Sequence, residues 1–149
     1  MPIAQMQAFA AVLAKNLRPG DIITLSGEVG AGKTAFARAL IQAIAIEKPD
    51  VTSPTFNLLQ SYDVMLAGGV SEILWHLDLY RLKHAEEADS LGLRELWSHI
   101  TLIEWPEIIA RILPVQHLSI AFDFGVSQEL RNLVLSGNDA WRNRLETLI

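Results

Sequence analysis

Between Ile3 and Leu17, apolar side chains return at Met6, Phe9 or Ala10, Leu13 and Leu17, while Gln5, Gln7, Lys15 and Asn16 fall mostly on the other side. The interval matches a helical turn of about 3.6 residues with one buried stripe, and Pro19-Gly20 interrupts it. Asp21 to Ser26 reads differently. It is a β-branched, largely apolar run without alternation, the pattern of a strand buried on both faces. Helical spacing resumes from Lys33 to Ile46, with Phe36, Leu40 and Ile44 on one stripe. Lys48-Pro49-Asp50 predicts a loop, and Pro54 keeps the next segment irregular until a strand begins within Phe56 to Tyr62. Leu66 to Gly69 predicts a turn, Glu72 to Tyr80 a strand, and residues 84 to 99 a polar, helix-favouring stretch. Ile100 to Glu104 predicts another buried strand, closed by Pro106. Two late strands, Leu118 to Phe124 and Arg131 to Leu135, flank the turn-prone Gly125-Val126-Ser127-Gln128, and Trp141 to Ile149 predicts a closing helix. No repeat, low-complexity tract or linker divides the chain, so residues 1–149 are expected to form one domain.

Composition removes several classes of function. The chain has no cysteine, which excludes disulfides, thiolate zinc sites and cysteine nucleophiles. The formal net charge of −5 argues mildly against a broad nucleic-acid footprint. Half of the residues are apolar and 19% are charged, enough apolar surface for a sizeable core. The N-terminal segment lacks the basic start and apolar core of a signal peptide, and no apolar run reaches membrane-spanning length. A soluble, cytoplasmic protein without a membrane partner is the expectation.

Between the second predicted element and the third stands Gly27-Glu28-Val29-Gly30-Ala31-Gly32-Lys33-Thr34, which fits G-x-x-x-x-G-K-[ST]. Strand, glycine loop and helix in that order make an anion cradle. Main-chain N–H groups face a phosphate, which a Cβ would hold away, and the positive helix end adds attraction. The candidate phosphate contacts are Glu28, Val29, Gly30, Ala31, Gly32, Lys33, Thr34 and Ala35. Lys33 would bring charge to the β/γ-phosphates and the Thr34 hydroxyl would bind Mg²⁺. A magnesium site also needs a carboxylate. Asp78 and Glu104 both end apolar strands, and pattern alone does not rank them. His76, Asp78 and Tyr80 alternate and are expected to share one face. Ser53-Pro54-Thr55 offers hydroxyls that reach a metal or γ-phosphate, although its local pattern favours a proline turn.

Taken together, GEVGAGKT, VTSPTF at Val51 to Phe56, HLDLYRL at His76 to Leu82 and LIEWPE at Leu102 to Glu107 resemble the TsaE family, also called YjeE, of small bacterial ATPases. The resemblance weakens through the last forty or so residues. It implies an α/β, P-loop NTPase-like three-layer fold, with a mixed, mostly parallel sheet and helices on its faces. It implies ATP and Mg²⁺ as cofactors and weak intrinsic hydrolysis. It further implies a role in threonylcarbamoyladenosine modification of tRNA with TsaD and TsaB as partners, tRNA being met only through that assembly. By motif, Gly30, Gly32, Lys33 and Thr34 take phosphate and metal roles, Glu104 joins Thr34 as the metal-associated acid, and Asp78 serves as switch or water-orienting group. Thr55 falls in a switch-like loop, so Asp78, Lys33 and Thr55 are the candidate catalytic residues. Trp105 is a candidate functional aromatic. The helix after the glycines ends in AIAIEKPD without the leucine-glycine close common in relatives, which leaves its C-terminal geometry open.

Two other readings of the glycine loop stand beside this one: a small-molecule kinase and a nucleotide-gated binding module with little turnover. Arg81, Arg94 and Arg111 are scattered and form no evident kinase lid. No N-K-x-D string reads guanine, no G-x-S-x-G suggests a serine hydrolase, and His76, His84, His99 and His117 lack zinc-ligand spacing.

Overall fold

Apolar runs without alternation need cover on both faces. The computed structural model, which describes residues 1–47, 51, 58–124 and 130–148, gives them that cover. The described elements are α1 (Ile3–Lys15), β1 (Ile22–Ser26), α2 (Lys33–Ile44), β2 (Leu59–Leu66), β3 (Val70–Asp78), α3 (Ala85–Ser90), β4 (Ile100–Glu104), β5 (Leu118–Phe124), β6 (Arg131–Ser136) and α4 (Asp139–Glu146). Short 3-10 helices occupy Ala67–Gly69, Leu93–Ser98 and Pro106–Ile109. The strands form one sheet in the order β2-β3-β4-β1-β5-β6. The inner four strands run parallel, and β2 and β6 add antiparallel edges. This is the mixed, mostly parallel α/β sheet of P-loop NTPases.

One core lies between one sheet face and α1, α2 and α4. It includes Met6, Leu13, Ile23, Leu25, Phe36, Leu40, Leu102, Phe122 and Trp141. Phe36 is fully buried between Phe9 and Phe122, with ring centroids 6.2 and 5.5 Å away. Burying such a side chain stabilises by roughly 2–3 kcal/mol. On the opposite face Ile22, Leu77 and Ile103 meet Leu79, Leu82, Ala88, Leu93 and Ile109. The parallel strands therefore have no solvent face and show no alternation. Among the described residues, no helix is long and apolar enough to cross a membrane.

Several predicted boundaries move. α2 stops at Ile44 rather than Ile46, because Ala45 turns extended and bridges to Val64. The helix-favouring stretch from 84 to 99 is broken at Gly92, whose φ is +69°, into α3 and a 3-10 turn. β3 runs from Val70 to Asp78 instead of from Glu72 to Tyr80, and pairs along its length with β2 in a long hairpin. The last helix begins earlier, at Asp139, where Asn138 caps it by accepting the Trp141 N–H at 3.1 Å. The predicted 125–128 turn lies outside the described residues.

Candidate functional site

β1 ends at Ser26, in register beside β4 and β5, and delivers the chain to the glycines at the carboxyl edge of the sheet. At Gly27 the backbone has φ +136° and runs against β5; a Cβ there would lie 2.5 Å from the Phe122 carbonyl oxygen. Glycine is required at that point by both conformation and space. Gly30 and Gly32 also take positive φ, and α2 begins immediately at Lys33 with no side chain capping it. The first amides of a helix have no intrahelical acceptor, so they offer donors to an anion.

The Lys33 side chain turns back onto its own loop. Its ammonium donates to the carbonyls of Gly27 and Glu28, the latter at 3.0 Å, and lies 3.9 Å from the centre of the Trp105 ring. Only 5% of the residue is exposed. Burial pushes the ammonium below its ordinary pKa, while the carboxylates of Glu104, Glu107 and Asp78 pull the other way. Trp105 occupies the left-handed region at φ +59°, directly after β4, and its ring packs 4.8 Å from that of Tyr80. The two aromatics form a wall over the lysine.

Thr34, one residue into α2, donates its hydroxyl to Glu104 Oε1 at 3.0 Å. Glu104 is the last residue of β4, 2% exposed, and its Oε2 lies 2.7 Å from His76 Nε2. Asp78 pairs in register with Glu104 at the end of β3 and accepts the Tyr80 N–H at 3.0 Å. A cleft of about 540 Å³ collects Val29, Gly30, Gly32, Lys33, Thr34, Ala35, Arg38, Asp78, Tyr80, Glu104 and Trp105. Among the described residues no group of three or more His, Asp or Glu side chains forms a self-sufficient metal cage. A hydroxyl and a carboxylate side by side instead make the partial hard-oxygen shell that suits Mg²⁺, which completes its coordination with phosphates and water. The donor set fits that ion.

The predicted residues thus converge to a large extent. Six of the eight loop positions line the cleft directly. Glu28 contributes its carbonyl to Lys33 and its side chain is exposed. Ala31 is buried beneath the loop, its N–H donating to the Glu28 carbonyl at 3.1 Å. Thr55 lies outside the described residues. Of the alternating trio, His76 and Asp78 belong to β3, whereas Tyr80 lies past the strand end and reaches the cleft by its ring. Sequence reading missed Arg38. It stands one helical turn after Thr34, on the same side of α2, and donates to the Val51 carbonyl at 3.0 Å. The i, i+4 spacing from the loop threonine was the available signal.

Comparison with known proteins bears on the whole arrangement. A Rickettsia bellii protein named tRNA threonylcarbamoyladenosine biosynthesis protein TsaE is 43% identical over 113 residues, 75% of each chain. A Bacillus subtilis protein of the same name is 36% identical over 118 residues, covering 78% of this chain and 70% of its own. The Rickettsia felis relative is 44% identical, but the match spans 61% of its length. The crystal structure of Bacillus subtilis YdiB is similar across 99% of this chain and 89% of its own, with a TM-score of 0.74 and 26% identity. The family model of threonylcarbamoyl adenosine biosynthesis protein TsaE matches residues 2–132, and on this evidence the chain belongs to the TsaE family, whose names tie it to threonylcarbamoyladenosine biosynthesis in tRNA.

Proposed function

We propose that this chain is a cytoplasmic, Mg²⁺-dependent ATPase with weak intrinsic turnover, which acts with TsaD and TsaB in threonylcarbamoyladenosine modification of tRNA. The observation that carries the ATPase reading is the Thr34–Glu104 contact at 3.0 Å, beside a lysine and a positive-φ glycine loop. The role in tRNA modification rests on the family, and the partners on the resemblance of the four motifs.

In this reading the loop amides and the first amides of α2 hold the β- and γ-phosphates, with Lys33 turning from the Gly27 and Glu28 carbonyls toward them. Thr34 and Glu104 hold Mg²⁺. When bound, that ion neutralises the charge developing on the phosphoryl oxygens. The electrostatics support the need for it. Asp78, Glu104 and Glu107 already act on one lysine, so a polyphosphate without a divalent ion meets a net repulsive edge. Asp78 stands next to Glu104 at the strand ends and orients the attacking water. Arg38 is the single arginine among the described cleft-lining residues, and Arg131 of β6 reaches the loop as well, donating to the Gly30 carbonyl at 3.4 Å.

Calorimetry with ATP, in EDTA and in excess Mg²⁺, tests binding; uptake is expected with the metal and strongly reduced without it. Phosphate release is then followed with and without TsaD–TsaB. Slow release that accelerates when both partners are added is expected. No heat of ATP binding under any condition refutes the cleft assignment. Binding without partner-stimulated release refutes the ATPase cycle and favours a gated binding module.

A further inference from the structure

His76 is the one member of the Thr34–Glu104–His76 chain that lies outside the cleft. It is completely buried in β3, between Leu74 and Leu77 in sequence, where a parallel strand packed on both faces ordinarily carries aliphatic side chains. An imidazole there carries a desolvation cost that its hydrogen bonds must offset. Its Nε2 meets Glu104 Oε2 at 2.7 Å. A carboxylate only accepts, so Nε2 carries the hydrogen and donates. The other ring nitrogen, Nδ1, has no hydrogen-bond partner among the described residues. Among the described residues the buried ring therefore makes one hydrogen bond, and that bond falls on the acid of the cleft.

Glu104 in turn has both oxygens engaged. Oε2 accepts from His76, and Oε1, facing the cleft, accepts from Thr34. A carboxylate held by one oxygen alone is free to rotate about its last bond. Held from behind, it presents a fixed lone pair to the position beside the threonine hydroxyl. We infer that His76 is a positioning residue, which donates from the core to lock the Glu104 carboxylate in the orientation that receives Mg²⁺. This rests on the nucleotide-site reading above. It assigns the buried histidine of β3 a part in metal affinity without contact to metal or nucleotide.

The test compares His76→Gln with His76→Asn. A glutamine amide reaches about as far as Nε2 and keeps a donor to Glu104; an asparagine amide stops near the Nδ1 position and does not. Calorimetry with ADP gives the affinity in EDTA and the Mg²⁺ concentration that half-restores tight binding, with melting curves beside it. His76→Asn is expected to raise that Mg²⁺ concentration roughly 10- to 100-fold, the usual effect of losing a partner behind a metal ligand. Its affinity in EDTA should stay within about twofold of the parent. His76→Gln is expected to restore most of the metal response. A merely structural histidine lowers the melting temperature in both variants and leaves the magnesium curve unmoved, which overturns the inference. Failure of both variants to fold assigns His76 to core stability and also overturns it. If the parent protein shows no magnesium-dependent ADP binding, the nucleotide-site reading itself has failed, and that result is distinct from a parent that responds while the variants match it.

Discussion

Gly27 and Gly30 show how differently one residue type works within eight positions. A methyl on Gly27 meets the Phe122 carbonyl at 2.5 Å, and the φ of +136° is itself unfavourable for any side chain. A methyl on Gly30 meets nothing within 4 Å and faces only the conformational penalty at φ +83°. Gly27→Ala is expected to cost about 3 kcal/mol or more, and Gly30→Ala about 1–2 kcal/mol. Scanning calorimetry reads this as a drop of roughly 10 °C against a few degrees. Equal losses would mean that the close approach to β5 does not hold in solution. A second residue-level expectation concerns Asp78. Removing the group that positions or deprotonates an attacking water costs roughly 100- to 10,000-fold in rate. Asp78→Ala should therefore slow ATP hydrolysis about a hundredfold or more while the ATP dissociation constant stays within about threefold. Parallel losses in both would remove Asp78 from the chemical step. Lys33 and Thr34 were legible in the sequence because a loop fingerprint is a local signal; a strand-end acid is local too, but it left Asp78 and Glu104 unranked, and only the resemblance of the LIEWPE motif separated them. Arg38 had only its i, i+4 spacing from Thr34 to mark it, and the packing of Tyr80 on Trp105 depends on side chains meeting across elements, which spacing along one strand does not give.

The β2–β3 hairpin depends on a different kind of contact. Glu72 in β3 accepts the Ile73 N–H at 2.8 Å and lies 2.7 Å from His99 Nδ1, which ties the hairpin to the approach of β4. Burial alone would raise the Glu72 carboxyl, but the Ile73 N–H and the His99 ring outweigh it and hold the group below its ordinary pKa of 4.5. A carboxyl whose folded pKa is depressed stabilises the fold above its unfolded pKa, and that stabilisation is lost as pH falls through the folded value. Glu72→Gln should thus melt lower than the parent at pH 6, and the gap should close as the pH falls from the ordinary value of 4.5 through the depressed folded one. A gap that persists unchanged into acid would trace the loss to packing. The same hairpin marks where the pattern was hardest to read. β2 is an edge strand with mixed exposure; it begins at Leu59, inside the predicted window of Phe56 to Tyr62, and its pairing continues to Leu66, where the predicted turn starts. β1 and β4 were plain because central strands leave no polar face. The interrupted stretch around Gly92 was misjudged because helix-favouring composition does not reveal a glycine in the left-handed region.

At the scale of the whole molecule, α4 is pinned to the connection between α1 and β1. The Arg144 guanidinium from α4 bonds both oxygens of Asp21 at 2.8 Å and the Asn16 carbonyl at 2.8 Å, just before β1. It also lies 4.1 Å from the Trp141 ring. Asp21 is 9% exposed, so stripping it of this partner leaves a poorly solvated charge. Arg144→Met is expected to lower the melting temperature by roughly 5–10 °C, a loss of about 2–3 kcal/mol. ADP affinity in Mg²⁺ should not change, since the contact lies away from the cleft residues. We further propose that residues 1–149 unfold as one domain: one calorimetric transition is expected, and two resolved transitions would contradict it. The lysine folded beneath Trp105 has a consequence for the proposed nucleotide site. Its hydrogen bonds are already made, to the loop it would serve in that role. An arriving nucleotide would therefore exchange old acceptors for new ones, and the net gain would be smaller than a tally of phosphate contacts suggests. For the same reason, the lysine's donors would have acceptors to return to whenever a phosphate left.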